Sequence, residues 1–255
     1  MWGLKAWRRR LTSSHAAVDE ALWQKVVSRF AFLRALTPAE LGRLRDMTQR
    51  FLGCKQISGA AGMQLTDEMR TVIAAQACLL ILNLGLDYYR GWVEVIVYPG
   101  DFMPRREYTD EDGVVHVTRE AMQGEAWLQG PVILSWEAAV ESQDNQGVNV
   151  VIHEFAHKLD MLNGEPNGFP PLHEDMSREA WMRDFSAAYQ DFCARVDRGE
   201  ETAVDPYAAE SPAEFFAVLS EVFFETPQVL KRCYTEVYRQ LSRFYRQDPT
   251  LRRMH

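Results

Sequence analysis

The segment VIHEFAHKLD (Val151–Asp160) places two histidines four residues apart, with a glutamate directly after the first. Residues four apart lie on the same face of an α-helix, so His153 and His157 can present ring nitrogens to one metal ion. Glu154 lies one step round the helix, where it reaches a water activated by the metal. We predict one Zn²⁺ per chain, with His153 and His157 as ligands and Glu154 as the general base. This motif constrains the fold strongly, because it requires a helix that faces a further ligand.

Apolar residues directly before the motif favour this interpretation over a chance match. The stretch VNVVI, ending at Ile152, is apolar on nearly all sides of the predicted helix. Burying His153, Glu154 and His157 in such a helix is costly unless something pairs them. A metal ion bound by the two histidines, with Glu154 beside it, would compensate for this cost.

A catalytic zinc ion usually has three protein ligands and one open position, so one more ligand is needed. The chain has six histidines, and none lies six residues beyond His157. His173 is in a proline-rich stretch, and the remaining histidines are in a predicted strand, near the N-terminus or at the last residue. The third ligand is therefore expected to be a carboxylate. The strongly apolar segment after Asp205 contains two candidates, Glu214 and Glu221.

Glu214 has a competing structural interpretation. SPAE (Ser211–Glu214) has the same capping-box form as TPAE (Thr37–Glu40), so Glu214 could bond back to its own helix start. The Thr37 helix is amphipathic, so Glu40 can remain in water. The Ser211 helix should be buried all round, and a buried carboxylate needs a charged partner. We favour Glu214 over Glu221 as the ligand, with Glu221 accepting a hydrogen bond from the free N–H of a ligand histidine.

Asp160 is a second candidate for orienting a ligand. It lies three residues after His157 on the same helical face, so its carboxylate could accept a hydrogen bond from that ring. The alternative is a solvated residue near a helix end. The sequence leaves both interpretations of Asp160 open.

The order of helix and strand patterns predicts an α+β fold with a small mixed or antiparallel sheet packed by helices, one of which carries HExxH. Helical patterns cover residues 16–36, 37–51, 66–84, 143–161, 177–198, 211–225 and 227 to the end. Strand patterns cover residues 92–99, 114–118 and 130–136. We interpret the charged connection at 105–113 as an exposed loop.

We find no internal repeat and no flexible linker in the 255 residues. We therefore predict a basic N-terminal tail at residues 1–14 and a single domain at 15–255. Within this domain we expect a helical N-terminal part at about 15–90 and a catalytic part at about 91–255. The most apolar run, residues 74–86, is too short to span a bilayer and is interpreted as a core helix.

Charge and cysteine usage restrict the partners and the location. The formal charge of −8 disfavours direct binding to nucleic acid or to an anionic membrane. The four cysteines lie far apart, as expected for free thiols in a reducing compartment. No apolar signal segment follows the basic N-terminal residues. We expect a cytoplasmic protein.

Five strings resemble the Mlc titration factor A family of zinc metallopeptidases and, more remotely, the catalytic domain of anthrax lethal factor. They are VIVYPG (95–100), GPVILSW (130–136), VIHEFAHKLD (151–160), ESPAEFFAVLSEVFF (210–224) and FYRQDP (244–249). The resemblance covers most of the chain and implies a zincin-like fold. It also implies that Glu214 completes the zinc ligands. Tyr207 matches a family tyrosine, whose phenol is expected to stabilise an oxyanion; the alternative is a tyrosine packing beside Pro206.

The resemblance implies a zinc-dependent peptidase of aminopeptidase type, with the gluzincin-like combination of HExxH and a glutamate. It also implies binding to the glucose repressor Mlc, and thereby an effect on the regulation of sugar-transport genes. From the residues we expect an extended peptide substrate to pair with a sheet edge, for which the GPVILSW strand is our candidate. The competing hypothesis is a non-catalytic protein that sequesters a regulator and retains a zinc site.

Overall fold

The computed structural model describes residues 18–102, 106–109, 115–118, 122–141 and 147–252. The predicted basic tail at residues 1–14 and part of the charged connection at 105–113 lie outside these ranges. So does His255. Within the described residues, no helix is both long enough and apolar enough to cross a membrane.

Apart from the helix at residues 136–141, which no helical pattern covered, the α-helices follow the order of the helical patterns of the sequence. They are α1 (Glu20–Arg29), α2 (Ala31–Arg34), α3 (Pro38–Cys54), α4 (Asp67–Leu80), α5 (Trp136–Glu141), α6 (Val150–Asp160), α7 (Arg178–Asp197), α8 (Pro212–Glu225), α9 (Pro227–Cys233) and α10 (Thr235–Tyr245). Hydroxyl side chains cap the N-termini of four of them, at Thr37, Thr66, Ser177 and Ser211. Such caps satisfy backbone N–H groups that would otherwise lack a partner.

The strands form two separate sheets. They are β1 (Gln56–Gly59), β2 (Glu94–Tyr98), β3 (Arg106–Thr109), β4 (Val115–Thr118), β5 (Gly124–Ala126) and β6 (Val132–Ser135). The four-stranded sheet has the order β1-β2-β6-β5, in which β5 alone runs antiparallel to its neighbour. β3 and β4 pair with each other as an antiparallel two-stranded sheet. The prediction of an α+β protein with a small mixed sheet is confirmed.

The GPVILSW strand does not lie at a sheet edge, so that expectation is wrong. β6 pairs in parallel with β2 on one side and antiparallel with β5 on the other. Among the described strands of this sheet, β5 is the edge beyond β6. Only three residues long, β5 gives no measurable alternation of polar and apolar residues, which explains why the sequence did not predict it.

Three predicted boundaries also change. Residues 106–109 of the charged connection form β3 and are not a loop. The motif helix begins at Val150, because Gly147 takes a positive φ of 79° and Asn149 caps the helix. Residues 143–146 of the predicted helical pattern lie outside the described residues. The last helical pattern is divided at Tyr234, whose non-helical backbone ends α9 and precedes α10.

The motif helix α6 is fixed from behind by aromatic side chains. The ring of Phe155 lies 5.9 Å from Phe51, 5.2 Å from Tyr89 and 5.7 Å from Trp92, measured between centroids. All four belong to one hydrophobic core that contains residues from both the predicted N-terminal and catalytic parts. Such aromatic side chains each bury a large apolar area. The opposite face of α6 is thereby held toward α8.

Candidate metal centre

Two ligand candidates project from consecutive turns of α6. Asn149 caps this helix, since its Oδ1 accepts a hydrogen bond from the backbone N–H of Ile152 at 3.0 Å. The rings of His153 and His157 then lie one above the other, with centroids 4.8 Å apart. The four-residue spacing therefore produces the shared face that the sequence predicted.

Three donor atoms converge where α6 faces α8. Nε2 of His153 lies 3.1 Å from Nε2 of His157 and 2.9 Å from Oε2 of Glu214. The distance from His157 Nε2 to the same carboxylate oxygen is 3.3 Å. A tetrahedral zinc ion, with bonds of about 2.0–2.1 Å, separates its ligand atoms by roughly 3.3 Å. The three side chains therefore fit a zinc ion in both donor type and spacing. Among the described residues, they form the group of histidine and carboxylate side chains that could hold a metal ion.

Glu214 differs from the capping glutamate to which the sequence compared it. On α3, the Glu40 carboxylate bonds back to the backbone N–H of Thr37 at 2.8 Å, completing a capping box. On α8, Ser211 Oγ accepts from the Glu214 N–H at 3.2 Å, but the Glu214 carboxylate is directed to the two histidines. Although burial opposes ionisation, hydrogen bonds from His153 and His157 hold the pKa of Glu214 well below its usual value.

Glu221 lies two turns further along α8 and contacts the other side of the first histidine. Its Oε1 is 2.7 Å from His153 Nδ1. In the neutral ring, an Nδ1–H that donates to Glu221 leaves Nε2 unprotonated toward the metal position. Burial raises the pKa of Glu221, and its contacts with His153 and with the backbone N–H of Asn149 oppose that shift.

Glu154 is buried beside the same centre, with 5% of its surface exposed. Its Oε2 has no hydrogen-bond partner among the described residues. Burial raises the pKa of Glu154 to about 7, although His153 and His157 act to lower it. Gly124 of β5 lies against this carboxylate, so closely that a Cβ there would be 2.3 Å from Glu154 Oε1. The base candidate and the backbone of the edge strand are therefore neighbours.

Asp160 is completely buried, which excludes the solvated interpretation of this residue. Its Oδ2 accepts hydrogen bonds from the backbone N–H groups of Asn167 and Gly168, each at 2.7 Å. Asp160 Oδ1 and His157 Nδ1 have no hydrogen-bond partner in the described part of the chain. Asp160 thus fixes the turn that follows the motif helix, and its predicted role in orienting His157 stays a prediction.

Tyr207 lies on a single 3₁₀ turn (Pro206–Ala209) directly before α8. Asp205 caps this turn through a 2.9 Å hydrogen bond from the Tyr207 N–H. Tyr207 is 49% exposed as a residue, and the centroid of its ring is 6.0 Å from that of His153. The phenol therefore lies in the surroundings of the metal position, and its role in stabilising an oxyanion stays a prediction.

A cavity of about 490 Å³ opens beside the centre and reaches one of its three ligand candidates, His153. Its lining includes His153, Glu154, Tyr207, Asp205 and Glu210. Sequence reasoning singled out neither of the last two carboxylates, because acidic residues outside a helix resemble ordinary solvated residues. It also missed Asn149 as the cap, although an asparagine directly before an apolar helical segment is a known start signal.

The chain is similar over most of its length to proteins called Mlc titration factor A. The protein of Klebsiella pneumoniae is 37% identical over 236 residues, covering 92% of this chain and 89% of the relative. That of Salmonella arizonae is 39% identical over 233 residues, covering 91% and 92%. That of Pectobacterium atrosepticum is 39% identical over 234 residues, covering 90% and 87%.

The profile of the glucose-regulated metallo-peptidase M90 family matches residues 4–246. This range contains all seven site candidates predicted from the sequence and every donor atom of the convergent group. The predicted resemblance to the Mlc titration factor A family is confirmed, whereas the remoter one to lethal factor stays a prediction. The chain therefore belongs to the glucose-regulated metallo-peptidase M90 family.

Proposed function

We propose that this protein is a zinc-dependent peptidase that hydrolyses peptide bonds with Glu154 as general base. One observation carries the proposal: the donor atoms of His153, His157 and Glu214 converge within 3.3 Å of one another beside the buried Glu154 carboxylate. This combination of two imidazoles and a carboxylate leaves one tetrahedral position open. A centre with an open position suits catalysis more than a purely structural role.

The residues around the metal position have separable roles in this mechanism. A zinc ion held there would supply Lewis-acid activation of the attacking water and of the scissile carbonyl. Glu154 accepts the proton of the water and returns it to the leaving amine. Tyr207 donates its phenol O–H to the developing oxyanion. Glu221 keeps the His153 ring in one tautomer throughout.

The substrate would lie along β5 rather than along the GPVILSW strand. An extended peptide can add to an exposed strand edge by main-chain hydrogen bonds. β5 is the edge strand beside β6, and Gly124 brings its backbone into contact with Glu154. A peptide paired with β5 would therefore pass close to the proposed base.

The cavity lining supports the aminopeptidase type. Asp205, Glu210, Glu154 and Glu221 line the cavity, and no lysine or arginine is among its described lining residues. Carboxylates in a confined space attract an ammonium group such as a peptide N-terminus. Peptides with a free N-terminus should therefore be cleaved at least 10-fold faster than their N-acetylated forms, and equal cleavage of both would exclude this specificity.

Glu154→Gln tests the mechanism directly. The amide keeps the shape of the side chain but cannot accept the proton, so hydrolysis should fall by a factor of at least about 10²–10⁴. Zinc should remain bound at one ion per chain, measured by elemental analysis. Glu236→Gln makes the same chemical change on α10, where the exposed carboxylate pairs with Arg239 and with no group of the centre, and it should retain activity. Unchanged turnover in Glu154→Gln would refute the mechanism.

Binding to a transcriptional repressor is the second candidate function. The relatives with 37–39% identity carry the name Mlc titration factor A, which supports an Mlc-type repressor as a partner of this chain. It also supports a cytoplasmic location, since a repressor acts there. The Glu154→Gln protein separates the two functions. If it still binds the repressor and relieves repression in cells, binding does not depend on hydrolysis.

A further inference from the structure

Asn149 is a completely buried side chain whose hydrogen-bonding atoms are all used. Its Oδ1 accepts from the backbone N–H of Ile152, as a helix cap does. Its Nδ2 donates to Gln76 Oε1 at 2.7 Å and to Glu225 Oε1 at 2.8 Å. Its backbone N–H donates to Glu221 Oε2. A cap alone needs only the first of these bonds.

These bonds join three helices behind the metal position. Gln76 belongs to α4, Asn149 starts α6, and Glu221 and Glu225 are one turn apart on α8. The second oxygen of Glu225 accepts from the backbone N–H of Gly147 at 3.1 Å, which fixes the segment that leads into α6. Each member of the network is buried, so an unmade bond there is costly.

The network ends at a ligand histidine. Glu221 Oε2 accepts a hydrogen bond from the backbone N–H of Asn149, and Glu221 Oε1 lies within hydrogen-bond distance of His153 Nδ1. The position of Asn149 therefore sets where the Glu221 carboxylate lies, and Glu221 sets the tautomer and orientation of the His153 ring. Hydrogen-bonding partners of metal-bound histidines commonly change metal affinity by about 10–100-fold.

We propose that Asn149 is a positioning residue of the metal centre, which acts on His153 through Glu221 and is itself held by Gln76 and Glu225. The inference rests on the proposed zinc site. It assigns Asn149 a role beyond capping α6, because serine caps a helix as well as asparagine does but cannot supply the two Nδ2–H donors.

Asn149→Ser tests this role. The variant keeps a capping oxygen and loses both bonds to Gln76 and Glu225. We expect the dissociation constant for Zn²⁺, measured by competition with a chelator, to rise about 10–100-fold. The visible absorption spectrum of the Co²⁺-substituted protein should also change, since the His153 ring is held less firmly. If Asn149 served only as a helix cap, the serine would replace it and both readouts would match those of the wild-type protein.

Thr37→Ala is the matched control. It removes the cap of α3, a helix that carries no member of the network, and should lower the free energy of unfolding by about 1 kcal/mol without changing the Zn²⁺ dissociation constant. If Asn149→Ser does not fold, Glu225→Gln replaces one acceptor of the network and should raise the dissociation constant in the same direction, by a smaller factor.

Wild-type affinity and an unchanged Co²⁺ spectrum in the folded Asn149→Ser protein would overturn the inference. This outcome differs from failure of the proposed function. If the wild-type protein binds zinc but cleaves no peptide, the proposed function fails while the role of Asn149 is still decided by the affinities. If the wild-type protein cleaves peptides and the variant binds zinc equally well, only the role of Asn149 is refuted.

Discussion

Glu214 and Glu40 occupy the same position in two closely similar capping-box sequences, yet their carboxylates make different bonds. Glu40 is partly exposed, and it bonds to Thr37 and to Arg252 at 2.9 Å. Glu214 lies in the first turn of an almost entirely buried helix, where a carboxylate needs a positive partner or a metal ion. The surroundings of each glutamate, rather than its local motif, therefore determine which groups its carboxylate binds.

The two roles of this capping sequence can be separated by mutation. Glu214→Gln removes the ligand charge and should raise the Zn²⁺ dissociation constant by more than about 100-fold, exceeding the effect typical of a residue that only supports a ligand. Ser211→Ala removes the cap and should cost about 0.5–2 kcal/mol of unfolding free energy while zinc stays bound. Chelator competition and thermal unfolding measure the two effects. Equal zinc affinity in both variants would reject Glu214 as a ligand.

Tyr207→Phe addresses the phenol beside the metal position. Loss of one oxyanion donor typically lowers kcat about 10²–10³-fold. We expect a decrease of this order in kcat with little change in KM, because the aromatic ring that faces His153 is retained. Zinc content, checked by elemental analysis, should remain one ion per chain. A kcat within twofold of the wild-type value would assign Tyr207 to packing alone.

At the scale of elements, the sequence predicted long helices better than short strands. α8 extends over Pro212–Glu225 in a segment of clear apolar character, and its predicted limits nearly coincide with the observed ones. β1 and β5 have four and three residues, too few to show a period of two. We predicted β6 as the sheet edge, whereas the structure has β5 there, because β6 pairs with the distant strand β2 as well as with β5. No local pattern in the sequence encodes that pairing.

The turn after the motif helix gives a prediction at the element scale. Gly168 has a φ of 75°, and a Cβ there would lie 2.3 Å from the carbonyl oxygen of Pro212, the first residue of α8. Gly168→Ala should lower the free energy of unfolding by about 2–3 kcal/mol, because it combines a strained backbone with a clash against a helix start. It should also weaken zinc binding, since Glu214 lies two residues after Pro212.

Gly42→Ala is the control for this substitution. Gly42 lies within α3, and apart from its chain neighbours and the backbone of its own helix, no atom is within 4 Å of its added Cβ. The variant should therefore raise the free energy of unfolding by about 0.5–1 kcal/mol, the usual gain from alanine in a helix. Urea denaturation followed by circular dichroism measures both variants. If Gly168→Ala were as stable as the wild-type protein, the turn would be able to accommodate the added Cβ by a backbone adjustment that leaves the free energy of unfolding unchanged.

At the scale of the whole molecule, the metal centre lies between helices that the core already holds in place. Phe155 fixes α6 against aromatic side chains from α3 and the segment before β2, and the apolar residues of α8 belong to the same core. The sequence predicted the ligand candidates because HExxH is a local pattern. It did not predict the network behind them, because Gln76 and Asn149 are 73 residues apart and meet only in the folded chain.

Metal removal tests whether the core or the ion maintains the fold. Helical circular dichroism should persist after treatment with a chelator, because the packing around Phe155 and α8 needs no metal. Zinc at 100 times its dissociation constant should add about 2.7 kcal/mol of stability if it binds only the folded state. For a domain of this size, that corresponds to a rise in Tm of roughly 5–11 °C. Differential scanning calorimetry over a series of zinc concentrations should show Tm increasing steadily, and His157→Ala should remove this dependence. Loss of helical signal in the metal-free protein would show instead that the ion is required for folding.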